Sequence, residues 1–265
     1  KMDQDVADWQ NALSDDERHF VKNVLAFFAA SDGIVTFNLV VNMYSLVKNA
    51  EAQAMLGYQI GQETIHSDMY SILIDTYVTD PAEKARTLNA IQTNPAVKRK
   101  AEWALRYVTR GTFVQRLVAF ALVEGVFFSS SFCAIYWIKQ RHPGRLTGLT
   151  TSNEWIARDE NSHCEGAVAL YDKIVQRLPQ ATVHAMVASA VAAEAFFVRE
   201  SLPVALVGIN ADRMEAYVKY VADIWVEKLG YDKMYNIAEC PFDFMSHVGM
   251  RKKENFFEVT VTNYK

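Results

Sequence analysis

Cysteine is scarce in this sequence. Cys133, Cys164 and Cys240 are scattered and include no Cys-x-x-Cys, which excludes a disulfide framework and fits a reducing compartment. Glycine and proline are also few, 11 and 6 in 265 residues, so collagen-like and low-complexity architectures are excluded. Neither sign of charge dominates: Lys and Arg total 27 against 31 Asp and Glu, a formal net charge of −4. That balance argues against a non-specific nucleic-acid binder, which needs concentrated positive charge. No P-loop or G-x-G-x-x-G occurs, and the sparse, scattered cysteines make a cytoplasmic protein the expectation. What the chain does have is hydrophobic mass. With 51% hydrophobic and 12% aromatic residues, disorder is excluded. A chain of this length buries roughly 75% of its unfolded surface without covalent staples.

One run could pass for a membrane span. Leu117 to Ile138 holds 22 residues with a single charge, Glu124, at its middle. A lone Glu at a bilayer centre is costly, and a helix apolar all round and buried in a large bundle explains the run better. No membrane association is expected.

The rest reads as helix after helix. Ser14 to Glu17 has capping-box spacing and opens an amphipathic run to Val35 and beyond. Further helices are predicted over Ala52–Tyr77, from Pro81 behind the cap Asp80, and over Val97–Thr109 and Thr112–Gln140. After the break at His142-Pro143-Gly144, the run Thr151-Ser152-Asn153-Glu154 is the expected cap of a helix reaching Arg177. Thr182–Val207, kinked at Pro203, and Asp212–Leu229 follow, and only Phe256–Thr262 alternates like a strand. No Gly/Ser/Pro-rich linker divides the chain, so residues 1–265 are expected to form one all-α domain.

Two short motifs carry the chemistry. Glu63-Thr64-Ile65-His66 and Glu160-Asn161-Ser162-His163 both read Glu-x-x-His, which on a helix aims a carboxylate and an imidazole at one point. With 6 His and 16 Glu, chance predicts about 0.4 such pairs, so two is only a mild excess. The surroundings add more. Asp32 and Glu124 each interrupt an apolar run, and an isolated buried carboxylate must be paired, protonated or bound to metal. Each also precedes a Glu-x-x-His, by 31 and 36 residues. Single carboxylates from two helices and Glu-x-x-His from two others are the ligand set of a ferritin-like di-metal site in a four-helix bundle. Four carboxylates match two divalent cations, and oxygen-rich ligands with two imidazoles suit iron or manganese. Asp16-Glu17-Arg18-His19 has the same acid-x-x-His form but lies in a charged first turn, where a solvated cap is the better reading.

Tyr70 lies four residues after His66 and so shares its face one turn on. Phe128 and Phe132 follow Glu124 by four and eight, and Ile156 precedes Glu160 by four. On spacing alone these four are ordinary core. Beside a metal pair they would make a phenol in a dry shell.

The sequence resembles the small, radical-generating subunit of class Ia ribonucleotide reductase, in its eukaryotic and viral form. The matching stretches include Val24–Val35 (VLAFFAASDGIV), Glu63–Tyr77 (ETIHSDMYSILIDTY), Arg116–Gly125 (RLVAFALVEG), Ser152–Cys164 and Pro241–Met245 (PFDFM). They cover nearly the whole chain. The resemblance implies a ferritin-like fold and a di-iron centre held by Asp32, Glu63, His66, Glu124, Glu160 and His163, oxo-bridged when oxidised. Manganese or a mixed manganese–iron pair stays open. It further implies that O2 and an electron donor convert Tyr70 to a stored radical, with Phe128, Phe132 and Ile156 as its pocket. Asp159, behind a metal-bound His, and Arg158 would serve radical transfer to a large subunit that reduces ribonucleotides to deoxyribonucleotides. A homodimer is implied too.

Two departures from the family pattern touch no ligand: Thr36-Phe37-Asn38 stands for a usual Asn-Glu-Asn, and Phe196 for a Glu. The family's surface relay Trp and its C-terminal docking tail have no counterpart between Lys1 and Lys265, which suggests the ordered part of a longer protein. Two alternatives use the same residues differently. A ferritin-like di-iron oxidase or hydroxylase would need an open channel to the metals, and a non-catalytic partner subunit would have no use for intact ligands.

Overall fold

Side-chain caps mark where most of the helices begin. The computed structural model describes residues 2–202 and 206–245, and at position 32 the backbone alone. The first helix, α1 (Met2–Asn11), is one the sequence pattern does not predict. Ser14 and Glu17 close the expected capping box and open α2 (Asp15–Asn38), which widens into a π-helical segment, π1 (Leu39–Tyr44). Asn49 caps α3 (Ala50–Tyr77), and Asp80, with Pro81 in the first turn, caps α4 (Pro81–Leu88). The short α5 (Ala90–Thr93) leads to α6 (Pro95–Arg110), capped by Asn94.

The apolar run is not one regular helix. Thr112 and Gln115 cap α7 (Phe113–Leu122), a second π-segment π2 (Val123–Phe127) follows, and α8 (Ser129–Arg141) completes it. Within this stretch 94% of the most apolar window is buried in protein. By length and composition alone, Asp15–Tyr44 and Gln180–Ser201 could also cross a membrane, with 59% and 50% buried.

Two expected boundaries differ. Helix α9 (Thr147–Tyr171) starts one turn before the Thr151–Glu154 run and ends six residues before Arg177. Its first amides are capped from α1: Asp8 accepts from the Leu146 N–H, and Asp5 from those of Gly148 and Leu149. The expected cap lies inside the helix, where Ser152 Oγ donates back to the Gly148 carbonyl. Helix α10 (Gln180–Ser201) stops at Leu202, since the residue before a proline is driven out of helical geometry. A kinked helix to Val207 is therefore not formed, and Pro203 itself lies outside the described residues. Asn210 caps α11 (Ala211–Lys228). The expected strand at Phe256–Thr262 also lies outside the described residues, which contain no strand, only an isolated bridge between Leu206 and Ile209.

The fold is all-α. At its centre α2 lies along α3 and α7 along α9, with α3 against α9 and α8 against both α2 and α9. Helices α10 and α11 pack against π2, α6 lies against α2, α7 and α10, and one hydrophobic core runs through all of these elements.

Candidate metal centre

Three neighbouring elements of this bundle each turn acid or imidazole side chains inward. Helix α3 supplies Glu63 and His66, π2 supplies Glu124, and α9 supplies Glu160 and His163; all five are buried. Donor atoms of Glu63, Glu124, Glu160 and His163 lie within 4.8 Å of one another. His66 joins them through Nδ1, 3.0 Å from Glu160 Oε1 and 3.6 Å from Glu63 Oε2. His163 Nδ1 lies 2.8 Å from Glu160 Oε2 and 3.0 Å from Glu63 Oε1. Position 32 lies on α2, whose length runs beside α3, but the Asp32 side chain is outside what the structure describes.

The helical spacing explains the convergence, since residues three apart on α3 and α9 point the same way. Glu124 needs more than spacing. It sits in the widened turn of π2, the kind of helical irregularity that recurs at functional sites. Gly125 lets neighbours approach that turn. A Cβ there would lie 2.5 Å from Trp225 Nε1 and 2.8 Å from Cys164 Sγ.

Both imidazoles keep Nδ1 toward the cluster and turn Nε2 outward to a fixed partner. His66 Nε2 is 3.3 Å from Asp159 Oδ2, and His163 Nε2 is 3.0 Å from Gln62 Oε1. Such outer partners fix ring orientation and raise ligand basicity. Asp159 is thus placed against an imidazole, whereas Arg158 is exposed on the adjoining turn. Sequence reasoning missed Gln62, because a neutral amide beside Glu63 gives no signal of its own.

Electrostatically the cluster is short of positive charge. Burial, then Glu160 and Glu63, pushes the Glu124 carboxyl well above the usual range. Burial acts the same way on Glu160, but the hydrogen-bonded His163 and the adjacent His66 outweigh it and hold that carboxyl low. Burial disfavours both imidazolium ions, yet Asp159, Glu160 and Glu63 push His66 up to about 12, and Glu160 and Glu63 push His163 up to about 9. Glu63 Oε2, His66 Nδ1, Glu160 Oε1 and both oxygens of Glu124 are buried without a well-formed hydrogen bond. Buried polar atoms are rarely left so. A set of carboxylates and imidazoles aiming orphaned donors at one point suits divalent cations.

Tyr70 is buried one turn beyond His66. Its ring stacks on Phe28 at 4.6 Å, and Phe28 in turn contacts Phe128 and Phe132 at 5.7 and 5.2 Å. Phe28, which joins the phenol ring to Phe128 and Phe132, was not singled out from the sequence. Ile156 is buried on α9, one turn before Glu160. Away from the centre, Glu17 is a cap but not a solvated one. It is buried, with Arg141 Nε at 2.7 Å and His142 Nε2 at 3.0 Å, while His19 is exposed.

Known proteins share the sequence and the fold of this chain. Residues 1–241 match the family described as ribonucleotide reductase, small chain. A ribonucleoside-diphosphate reductase small chain from Nicotiana tabacum is 50% identical over 265 residues, all of this chain and 79% of that one. The Rnr4 ribonucleotide reductase homodimer from Saccharomyces cerevisiae superposes with a TM-score of 0.80 at 27% identity, covering 95% of this chain and 81% of that one. The fold also matches dimanganese(II)-NrdF from Streptococcus sanguinis, with a TM-score of 0.79 at 18% identity over 93% of this chain and 88% of that one. By sequence over its whole length and by the fold that gathers its buried carboxylates and imidazoles, this chain belongs to the ribonucleotide reductase small-chain family.

Proposed function

We propose that this chain, a ribonucleoside-diphosphate reductase small chain, holds two metal ions through Glu63, His66, Glu124, Glu160 and His163 together with Asp32, and keeps an oxidising equivalent on Tyr70. The observation that carries the reading is the buried cluster of orphaned donor atoms with a buried phenol one turn away. When bound, an iron pair supplies the oxidising power, drawn from O2 with electrons from an external donor. Manganese suits the same donors, and iron is the pair proposed.

The residues divide the work. Asp159 and Gln62 hold the two imidazoles so that Nδ1 faces the metals. Phe28, Phe128, Phe132 and Ile156 keep water and reductants from Tyr70. Asp159 is half-buried, so His66 and Asp159 link the centre toward the surface, beside the exposed Arg158. Along that line the oxidising equivalent passes to a large subunit that reduces ribonucleotides. A homodimer is supported by two exposed apolar stripes, Phe37, Val40, Val41 and Tyr44 on α2–π1 and Tyr58, Ile65 and Ile72 on α3. The chain is proposed to act as one domain in the cytoplasm.

The test is anaerobic loading with Fe(II) followed by O2. Two irons per chain and a tyrosyl resonance signal are expected. Tyr70→Phe should keep both irons and lose the signal. A plateau at one iron or fewer would sink the metal site, and an unchanged radical in Tyr70→Phe would sink the assignment to Tyr70.

A further inference from the structure

Lys100 is buried on α6 at 1% exposure, an unusual place for an ammonium group. Three groups surround its amine. Its Nζ lies 2.7 Å from the carbonyl oxygen of Phe127, 2.6 Å from Glu194 Oε2 on α10, and 3.1 Å from the ring centre of Phe27. Glu194 is fully buried and takes a hydrogen bond from Ser130 Oγ at the start of α8. Burial pushes the amine down to about 8 and the carboxyl up, and each group counteracts the shift of the other.

The place of these contacts is informative. Phe127 is the last residue of π2, the turn that carries Glu124. A turn widened by one residue is out of step with the helix that follows, and its buried carbonyls need partners. Here Val126 O receives Ser129 Oγ at 2.6 Å and Phe127 O receives the Lys100 amine. The pair thus grips π2 from α6, α10 and α8 together.

We infer that Lys100, held by Glu194, is a positioning residue for Glu124: its amine fixes the Phe127 carbonyl and so the wide turn that aims Glu124 at Glu63 and Glu160. The inference rests on Glu124 being a metal ligand. A buried ion pair can often be replaced by apolar residues at little cost in stability, which separates positioning from packing.

The experiment is a Mn(II) titration of the metal-free protein, read by loss of the free-ion resonance signal, beside thermal melting. Lys100→Met/Glu194→Met should melt near the parent yet bind Mn(II) about tenfold or more weakly, as losses of supporting groups around metal sites do. If that variant does not fold, Lys100→Met/Glu194→Gln, whose amide keeps Ser130, makes the same test. Val183→Ala, a buried truncation near the far end of α10, should lower the melting temperature without moving the affinity. Affinity within twofold of the parent in a folded double variant overturns the inference, as does an equal loss in Val183→Ala. Glu124→Gln is run alongside: if it too binds like the parent, the reading of Glu124 as a ligand has failed, not merely its positioning.

Discussion

The hydroxyl of Tyr77 donates to Asp5 Oδ2 at 2.7 Å, and the same carboxylate accepts the N–H groups of Gly148 and Leu149. One side chain on α1 thereby joins the end of α3 to the start of α9, the two helices that carry the Glu-x-x-His pairs. Trp9, one helical turn further along α1, stacks on the Tyr77 ring at 4.5 Å and covers the junction.

Removing that junction should be costly. Tyr77→Phe leaves the carboxylate with its two amides and is expected to cost about 1 kcal/mol. Asp5→Ala strands the phenol and both amides and is expected to cost about 2–3 kcal/mol. Urea unfolding followed by circular dichroism measures both, and equal losses in the two variants would contradict a shared carboxylate.

Acid should weaken the same end of the bundle. Burial alone would raise the Asp8 carboxyl, but the Leu146 N–H and Arg145 hold it below the ordinary value. Burial likewise opposes Glu17, and the Ser14 N–H, His142 and Arg141 hold it low. A carboxyl lowered on folding stabilises above its unfolded pKa of about 4 and loses that contribution as pH falls through the folded value. The urea midpoint should therefore drop between about pH 5 and pH 3. Asp8→Asn should be less stable at pH 7 and show a flatter acid limb; a parallel limb would exclude Asp8 as a source.

Gly125→Ala should disturb π2 through contacts other than those of Lys100. The added carbon meets the buried Trp225 ring and Cys164 Sγ below 3 Å, so the wide turn or α11 must shift. Overpacking of this kind costs about 1–3 kcal/mol. Melting temperature checks the cost, and an unchanged melt would show that the neighbours yield freely.

Asp159→Ala and Gln62→Ala should separate the two imidazoles. Each frees one Nε2 while touching no proposed ligand atom. Metal stoichiometry is expected to stay at two, with affinity reduced about tenfold to a hundredfold. Equilibrium dialysis against Mn(II) reads both quantities, and unchanged affinity in both variants would remove these groups from the site.

The donor set was legible because its signals are local. Glu63 and His66 lie three apart on one helix, as do Glu160 and His163, and Glu124 stands alone in an apolar run. The caps at Ser14 and Asp80 lie next to the helices they start. Lys100 was not legible, since Lys98-Arg99-Lys100 reads as a run of solvated basic residues and only its last member is buried. Nor was the π-turn, because a helix apolar on every side carries no phase from which a widened turn could be read.

Residue identity and the 3.6-residue period determined, from the sequence by itself, that this chain is helical and that acids and imidazoles share inward faces. Tertiary structure decided the partners. Asp5 and Asp8 cap a helix that begins more than a hundred residues later, Gln62 and Asp159 each take one imidazole, and Lys100 reaches π2 from another helix. Those choices depend on which surfaces meet when the bundle closes. A buried polar group binds whatever donor or acceptor packing brings within 3 Å or so, and nothing in its own neighbourhood of the chain names that partner.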